Sequence, residues 1–411
     1  MTLVLMKRIL FLLPALFFFV SFSSAQLLNA RLITSIYTWE KFDTVDVSKK
    51  FARGVQSVFL DLTQGDFGIY THVQGAASLQ SQLDEVPDFR AYHLYARWRN
   101  VAGMADVSFG RLPFFAGVGS GSVDGAHATL RLADNTYRAT FYGGANVPVD
   151  LRLERWSPLK NNFIVGGQIL TTALPQTRLG ISYINRQRDR QNYWTERPDS
   201  LGNPIPFFVT PDPDKEQLLG GDVSVQLSDI NLYGRYDYEV NFKKTQRGQL
   251  GVRYCATDDI SVSGDFIHRA PRVPFNSFFA VFSPSTINEF EAGVDYTFIP
   301  MWRGFVRGAY VKYTDDESFR YTVGVAHTYA GITYRGNSGY AGELNALTLY
   351  GAYPLFERVL IPNASASYSS YRLNSMDNKE EAYAVGIGAT VRPLQVLSLD
   401  LQGQWLRNRV V

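Results

Sequence analysis

The sequence predicts an all-β chain, a transmembrane antiparallel up-and-down meander β-barrel of roughly 18–22 strands with short periplasmic turns and long outer loops. Three observations carry that expectation: apolar residues recur with period two, short and long links alternate along the chain, and aromatic residues collect near strand ends. Composition sets the frame. The 411 residues are 45% hydrophobic, 14% aromatic and 19% charged, which is too apolar for a disordered tail and too low in charge for a coiled coil. One cysteine, Cys255, excludes an internal disulfide framework and a Cys-rich zinc site.

The chain opens with Lys7 and Arg8, an apolar run from Ile9 to Phe22, and the small residues Ser23-Ser24-Ala25 before Gln26. That order is the logic of a cleaved secretory signal peptide over 1–25, and the apolar run is short for a spanning helix. The formal net charge is +2, and removal of Lys7 and Arg8 leaves the remainder neutral. A neutral chain offers no basic face for nucleic acid.

From residue 26 to 411 a single barrel is expected. In Val396 to Asn408, Leu397, Leu399, Leu401, Gly403 and Trp405 alternate with Ser398, Asp400, Gln402 and Gln404. In Glu289 to Phe298, Phe290, Ala292, Val294, Tyr296 and Phe298 alternate with Glu289, Glu291, Gly293, Asp295 and Thr297. Leu179, Ile181 and Tyr183 do the same against Arg178, Gly180 and Ser182. Such half-apolar strands also build soluble sandwiches, so the links decide. Short ones are expected at 63–66, 100–103, 134–135, 174–176, 228–229, 257–259, 299–301, 329–331, 353–357 and 392–395. Longer ones are expected at 77–88, 112–125, 146–162, 187–217, 269–286 and 373–380. Segments of about 9 to 12 residues, the length a tilted strand needs to cross a bilayer, number roughly 20 or 21. An odd count is awkward for a barrel with both ends in the periplasm, so either a last strand is missing beyond Val411, which is the expectation favoured, or the count is off by one.

These features, with Val107-Ser-Phe-Gly-Arg-Leu-Pro-Phe-Phe115, Gly117-Val-Gly-Ser-Gly-Ser-Val-Asp-Gly125 and Val252 to Phe266, resemble a Gram-negative outer-membrane porin-type barrel. The resemblance covers Gln26 to Val411 as architecture and names no family within that class. It implies passive diffusion of small hydrophilic solutes or ions across the cell outer membrane, with no cofactor and no enzyme activity. Implied partners are the membrane lipid and lipopolysaccharide, small polar solutes and, left open, two further copies in a homotrimer. An export or assembly barrel for a polysaccharide or other envelope component is the alternative, followed by a membrane-embedded hydrolase using Ser108 and His127. Two loops, 112–125 and the Phe-rich 269–286, are candidates to narrow a pore.

If the apolar parity meets lipid, the other parity lines the lumen. The early strands then contribute Arg97, Arg131, Arg138, Arg178 and Arg186. The middle strands contribute Asp222, Arg235, Asp237, Glu239, Arg253, Asp265, Glu289, Glu291 and Asp295, and the later ones Arg303, Arg307, Arg320 and Arg335. The expected pattern is an acidic sector between two basic ones, giving a transverse field across an aqueous pore. Five scattered histidines carry no metal-ligand spacing.

Overall fold

The computed structural model describes residues 26–44, 47–81, 89–153, 159–190, 192–198, 202–271, 285–339, 342–372 and 376–408. The expected signal peptide, most of the Phe-rich stretch of 269–286 and the last three residues lie outside them. Contacts divide the chain into two compact units, residues 1–168 with 184–189, and residues 169–183 with 190–411.

In the first unit β1 (Gln26–Thr44), β2 (Val47–Gln64), β3 (Phe67–Gln80), β4 (Phe89–Val101), β5 (Ala105–Ala116), β6 (Gly119–Leu132) and β7 (Tyr137–Asn146) pair antiparallel, each with the next. After β8 (Phe163–Thr171) and β9 (Thr177–Arg188), the separate hairpin β10 (Tyr193–Pro198) and β11 (Pro204–Val209) stands apart from the main sheet. The second unit continues with β12 (Asp214–Gln226), which pairs with β9, then β13 (Ile230–Glu239), β14 (Lys244–Cys255), β15 (Ile260–Arg269), β16 (Ile287–Ile299), β17 (Trp302–Lys312) and β18 (Glu317–His327). It ends with β19 (Ala330–Gly339), β20 (Glu343–Ala352), β21 (Leu360–Arg372), β22 (Glu380–Leu394) and β23 (Leu397–Asn408). Among the described residues the main sheet has 21 strands, every one an antiparallel neighbour of the strand before or after it.

All ten expected short links fall at turns, where the backbone chemistry asks for them. Gly65, Asn100, Gly103, Asp134 and Asn135 take positive φ there, as Gly, Asn and Asp tolerate, and Ala102, Gln176, Met301, Phe356 and Glu357 take it as well. The long-link end is more varied than expected. Links at 240–243 and 313–316 are tight, and 187–217 contains the β10–β11 hairpin. The expected loop 112–125 is not a loop: it belongs to a β5–β6 hairpin whose turn is only Gly117-Val118. Glycine misleads in that stretch because it serves close strand approach, not a loop. Gly110, Gly125 and Gly144 stand side by side on β5, β6 and β7, and a Cβ on any of them would enter the backbone of the adjacent strand.

Register fixes the slant of the second unit. One row of directly opposed residues runs Tyr254, Val262, Val294, Val306, Val323, Tyr334, Leu347, Tyr368, Tyr383 from β14 to β22. Tyr254 is one residue from the turn end of β14, whereas Tyr383 is eleven from the turn end of β22. A drift of ten residues over eight strand steps corresponds to a tilt of about 40° at ~3.3 Å per residue and ~4.8 Å per strand. Closed barrels tilt their strands by about that much.

Candidate functional site: a polar face behind an exposed apolar one

The row just traced is the outer face of the second unit, and it is exposed hydrocarbon. Leu250, Ile387 and Leu401, on the same parity, are 63%, 67% and 77% exposed. The opposite parity carries the charge and shelters its carboxylates: Asp237, Asp295 and Glu239 are 5%, 6% and 0% exposed, with half-exposed arginines around them. A water-soluble sheet has the reverse arrangement. Leaving half of each side chain in the nine-residue row wet would cost on the order of 10 kcal/mol, at roughly 1.5–3 kcal/mol per fully transferred side chain.

The apolar face is bounded by rings. At the turn end, Tyr296, Phe298, Trp302, His327, Tyr329 and Tyr353 form one chain of ring contacts with centroids 4.7 to 6.4 Å apart. Toward the other end, Phe266 meets Phe290, Tyr310 meets Phe319, and Tyr368 meets Tyr383 at 4.8 to 5.1 Å. On β17 the two bands are eight residues apart, Trp302 to Tyr310. That is ~26 Å along the strand and ~20 Å along a membrane normal at 40° of tilt, close to the apolar height of outer-membrane barrels.

On the polar parity of the second unit the charged residues share one side of the sheet and meet in pairs. Arg235 binds Asp237 within its own strand at 3.0 Å, with Asp222 opposite it in register. Arg178 stands 4.0 Å from Asp222. Glu239 accepts hydrogen bonds from the backbone N–H groups of Gln217 and Asn241. Arg320 bridges Glu289 and Glu291, and Asp265 lies opposite Glu291. Four residues along β16, Asp295 is approached by Arg303 at 3.7 Å, Arg307 at 3.9 Å and Arg253 at 4.0 Å. Arg335 shares a row with Arg307 through Thr322. Acids on β16 and bases on β17 and β18 therefore pair across neighbouring strands, and within β13 Arg235 pairs with Asp237. Parity alone could not show this, since it places residues on a face but not at a height.

In the first unit Arg97 and Arg131 both reach Asp106 at 2.8 Å, and Asp106 also accepts from the Asn100 backbone N–H. Arg138 stands opposite Arg131, and Arg186 donates to the Ser120 carbonyl. Ser108 and His127 are directly opposed. The carboxylate two residues away, Asp106, is taken up by those two arginines and a backbone donor, so it is committed to a task other than orienting an imidazole.

The sequence reading missed Arg111. It is buried, binds Asp124 through two parallel bonds of 2.7 and 2.8 Å, and donates its remaining protons to the carbonyls of Ala91, Leu151 and Arg152. All five guanidinium N–H groups are thereby used. The segment 147–152 is thus pinned to β4, which also donates from Ala91 N–H to the Leu151 carbonyl. A signal existed: Arg111 and Asp124 each stand six residues from the Gly117-Val118 turn, which makes them cross-strand partners in a hairpin.

Among the described residues no three His, Cys, Asp or Glu side chains could hold a metal ion together. No family model matches the chain, and no curated protein matches it. Its shape is similar to those of several solved outer-membrane proteins. OccK5 (OpdH) of Pseudomonas aeruginosa aligns over 92% of this chain and 99% of its own at 12% identity and a TM-score of 0.45. A BenF-like porin of Pseudomonas fluorescens Pf-5 aligns over 95% and 96% at 9% identity and 0.38. Wzi of Escherichia coli, described as a carbohydrate-binding β-barrel involved in group 1 capsule assembly, aligns over 91% and 84% at 13% identity and 0.38. At these scores the likeness carries no argument, and the reading of this chain rests on its own two faces.

Proposed function

We propose that the chain is an outer-membrane barrel through which small hydrophilic solutes or ions diffuse passively, delivered by residues 1–25 as a cleaved signal peptide. The inversion of its two faces carries the reading. Hydrocarbon between two aromatic bands suits a bilayer, and sheltered, paired charges on the other side suit a wet lumen. In lipid such a sheet would have to close on itself, since an unpaired strand edge finds no partner there. The apolar face takes lipid, with lipopolysaccharide against its outer band, and the acidic and basic levels set a mild preference among solutes. No catalytic step is assigned.

The test is single-channel conductance of the refolded chain in a planar bilayer. Stepwise ohmic openings support a diffusion pore, and silence from a verified folded barrel refutes it. A second reading, passage of an envelope polysaccharide, has one observation in its favour. The polar face of β1 to β4 carries stacked rings: Trp39 on Phe51, Phe59 on His72 on Tyr92, and Tyr70 on Tyr95, at 4.0 to 5.3 Å. Block of the current by oligosaccharides but not by small salts would favour that reading.

A further inference from the structure

We infer that Arg253, Arg303 and Arg307, gathered around Asp295, form a binding station for an oxyanion group, a phosphate, sulfate or sulfonate carried by a solute. The inference rests on the polar face being open to solutes, as proposed above, and deepens that reading by naming a ligand class.

Three guanidiniums converge on one carboxylate, so the station keeps a net charge of +2. The carboxylate is the buried member and the arginines are about half exposed, so the unspent positive charge faces outward. The contacts of 3.7 to 4.0 Å are too long for strong hydrogen bonds, and Asp295 Oδ1 has no hydrogen-bond donor among the described residues. Asp295 therefore collects the arginines by Coulomb attraction without using up their N–H groups. Arg253 gives one N–H to Ser261 Oγ at 2.9 Å. Gly293, between Arg307 and Ser263 in register, leaves the room in which the Arg307 stem lies: a Cβ there would stand 3.0 Å from Arg307 Cγ.

The spacing suits the ligand. Arg303 Nε and Arg307 Nη2 are 3.7 and 3.9 Å from the same oxygen, hence less than 8 Å from each other. A tetrahedral oxyanion accepting one bond of ~2.8 Å from each of two guanidiniums spans about 8 Å or less between the nitrogens. A second observation gives the station direction. Asp265, Glu289 and Glu291 against Arg320 leave a net −2 on the same face, and Glu291 is four residues from Asp295 on β16, ~13 Å along the strand. An anion is thus held at the turn-end level and repelled at the level above it.

The test uses the full refolded chain in detergent micelles and in planar bilayers, with inorganic sulfate and phosphate as probes. Calorimetric titration should show saturable sulfate binding. In Arg303→Gln/Arg307→Gln it should weaken at least tenfold, since each lost guanidinium removes a charge-assisted bond, and in Arg358→Gln, at an exposed turn, it should stay within twofold. In the bilayer, sulfate should lower chloride current in the parent chain and not in the double variant. Absence of sulfate binding, or equal binding by parent and double variant, overturns the station even if the barrel conducts. Binding lost in the double variant of a barrel that never conducts supports the station and overturns the channel. Should the double variant fail to refold, Arg253→Gln alone gives the same comparison.

Discussion

Val306 is the sharpest place to test which face meets lipid. It lies four residues from Trp302 and four from Tyr310, about 13 Å along the strand from each aromatic band, and it is half exposed on the apolar face. That is the middle of a bilayer if the bands mark its surfaces. Val306→Lys should then cost about 2–4 kcal/mol, the range for a cation at the midplane of a barrel's lipid face. At ~1.4 kcal/mol per decade this is roughly a 30- to 700-fold loss in the folding equilibrium. Thr333 is a near neighbour on the polar face, one residue before Tyr334 in the same cross-strand row as Val306. Thr333→Lys should change stability by no more than about 0.5–1 kcal/mol. The assay is reversible urea unfolding into and out of phospholipid vesicles, followed by tryptophan fluorescence. Equal stability of the two variants would refute the assignment of faces, and with it the membrane reading. A larger loss for Thr333→Lys would mean the faces are the other way round.

Three further outcomes follow from particular contacts. Arg111→Ala leaves the largely sheltered Asp124 without its partner and removes a donor from three carbonyls, and should cost about 3–5 kcal/mol in the same unfolding assay, whereas Arg111→Ala with Asp124→Ala should recover part of that loss. Gly125→Ala forces a Cβ into the Gly143 carbonyl and should cost more than about 3 kcal/mol, while Gly308→Ala, with nothing within 4 Å, should cost less than about 1 kcal/mol; equal losses would show that the glycine row is not a close approach. Glu289→Gln/Glu291→Gln removes two carboxylates from the acidic level, so reversal potentials under a KCl gradient should move toward anion preference; an unmoved potential would exclude that level from the conduction path.

The meander was legible because its cause is local. Alternation over a strand and a Gly, Asn or Asp at a turn are read from a few adjacent residues, which is why the ten short links were found and the count of about 20 or 21 strands agrees with the main sheet. Glycine was where the reading failed. In 112–125 it marks strands packed backbone to backbone, and the information that distinguishes this from a loop lies in β4 and β7, far along the chain. Counting assigns each charged residue a parity within its strand, yet its height depends on stagger between strands. Nothing within one strand records that stagger, so Arg320 between Glu289 and Glu291, and three arginines about Asp295, emerged only with the register.

Pairing between chain neighbours also bears on how such a sheet comes to exist. Apart from β9 with β12, where the β10–β11 hairpin is spliced out, the ladders among the described residues join strands separated by a single link, often of only a few residues. Loop-closure entropy is small at each step and the folding order can follow the sequence, hairpin by hairpin. Each newly added strand brings its own share of exposed hydrocarbon, so the demand for lipid, or for a chaperone that imitates it, arises at the first hairpin and grows by equal increments. A growing sheet of this kind is most vulnerable to aggregation halfway through, when its apolar face is already broad and its leading edge still lacks a partner.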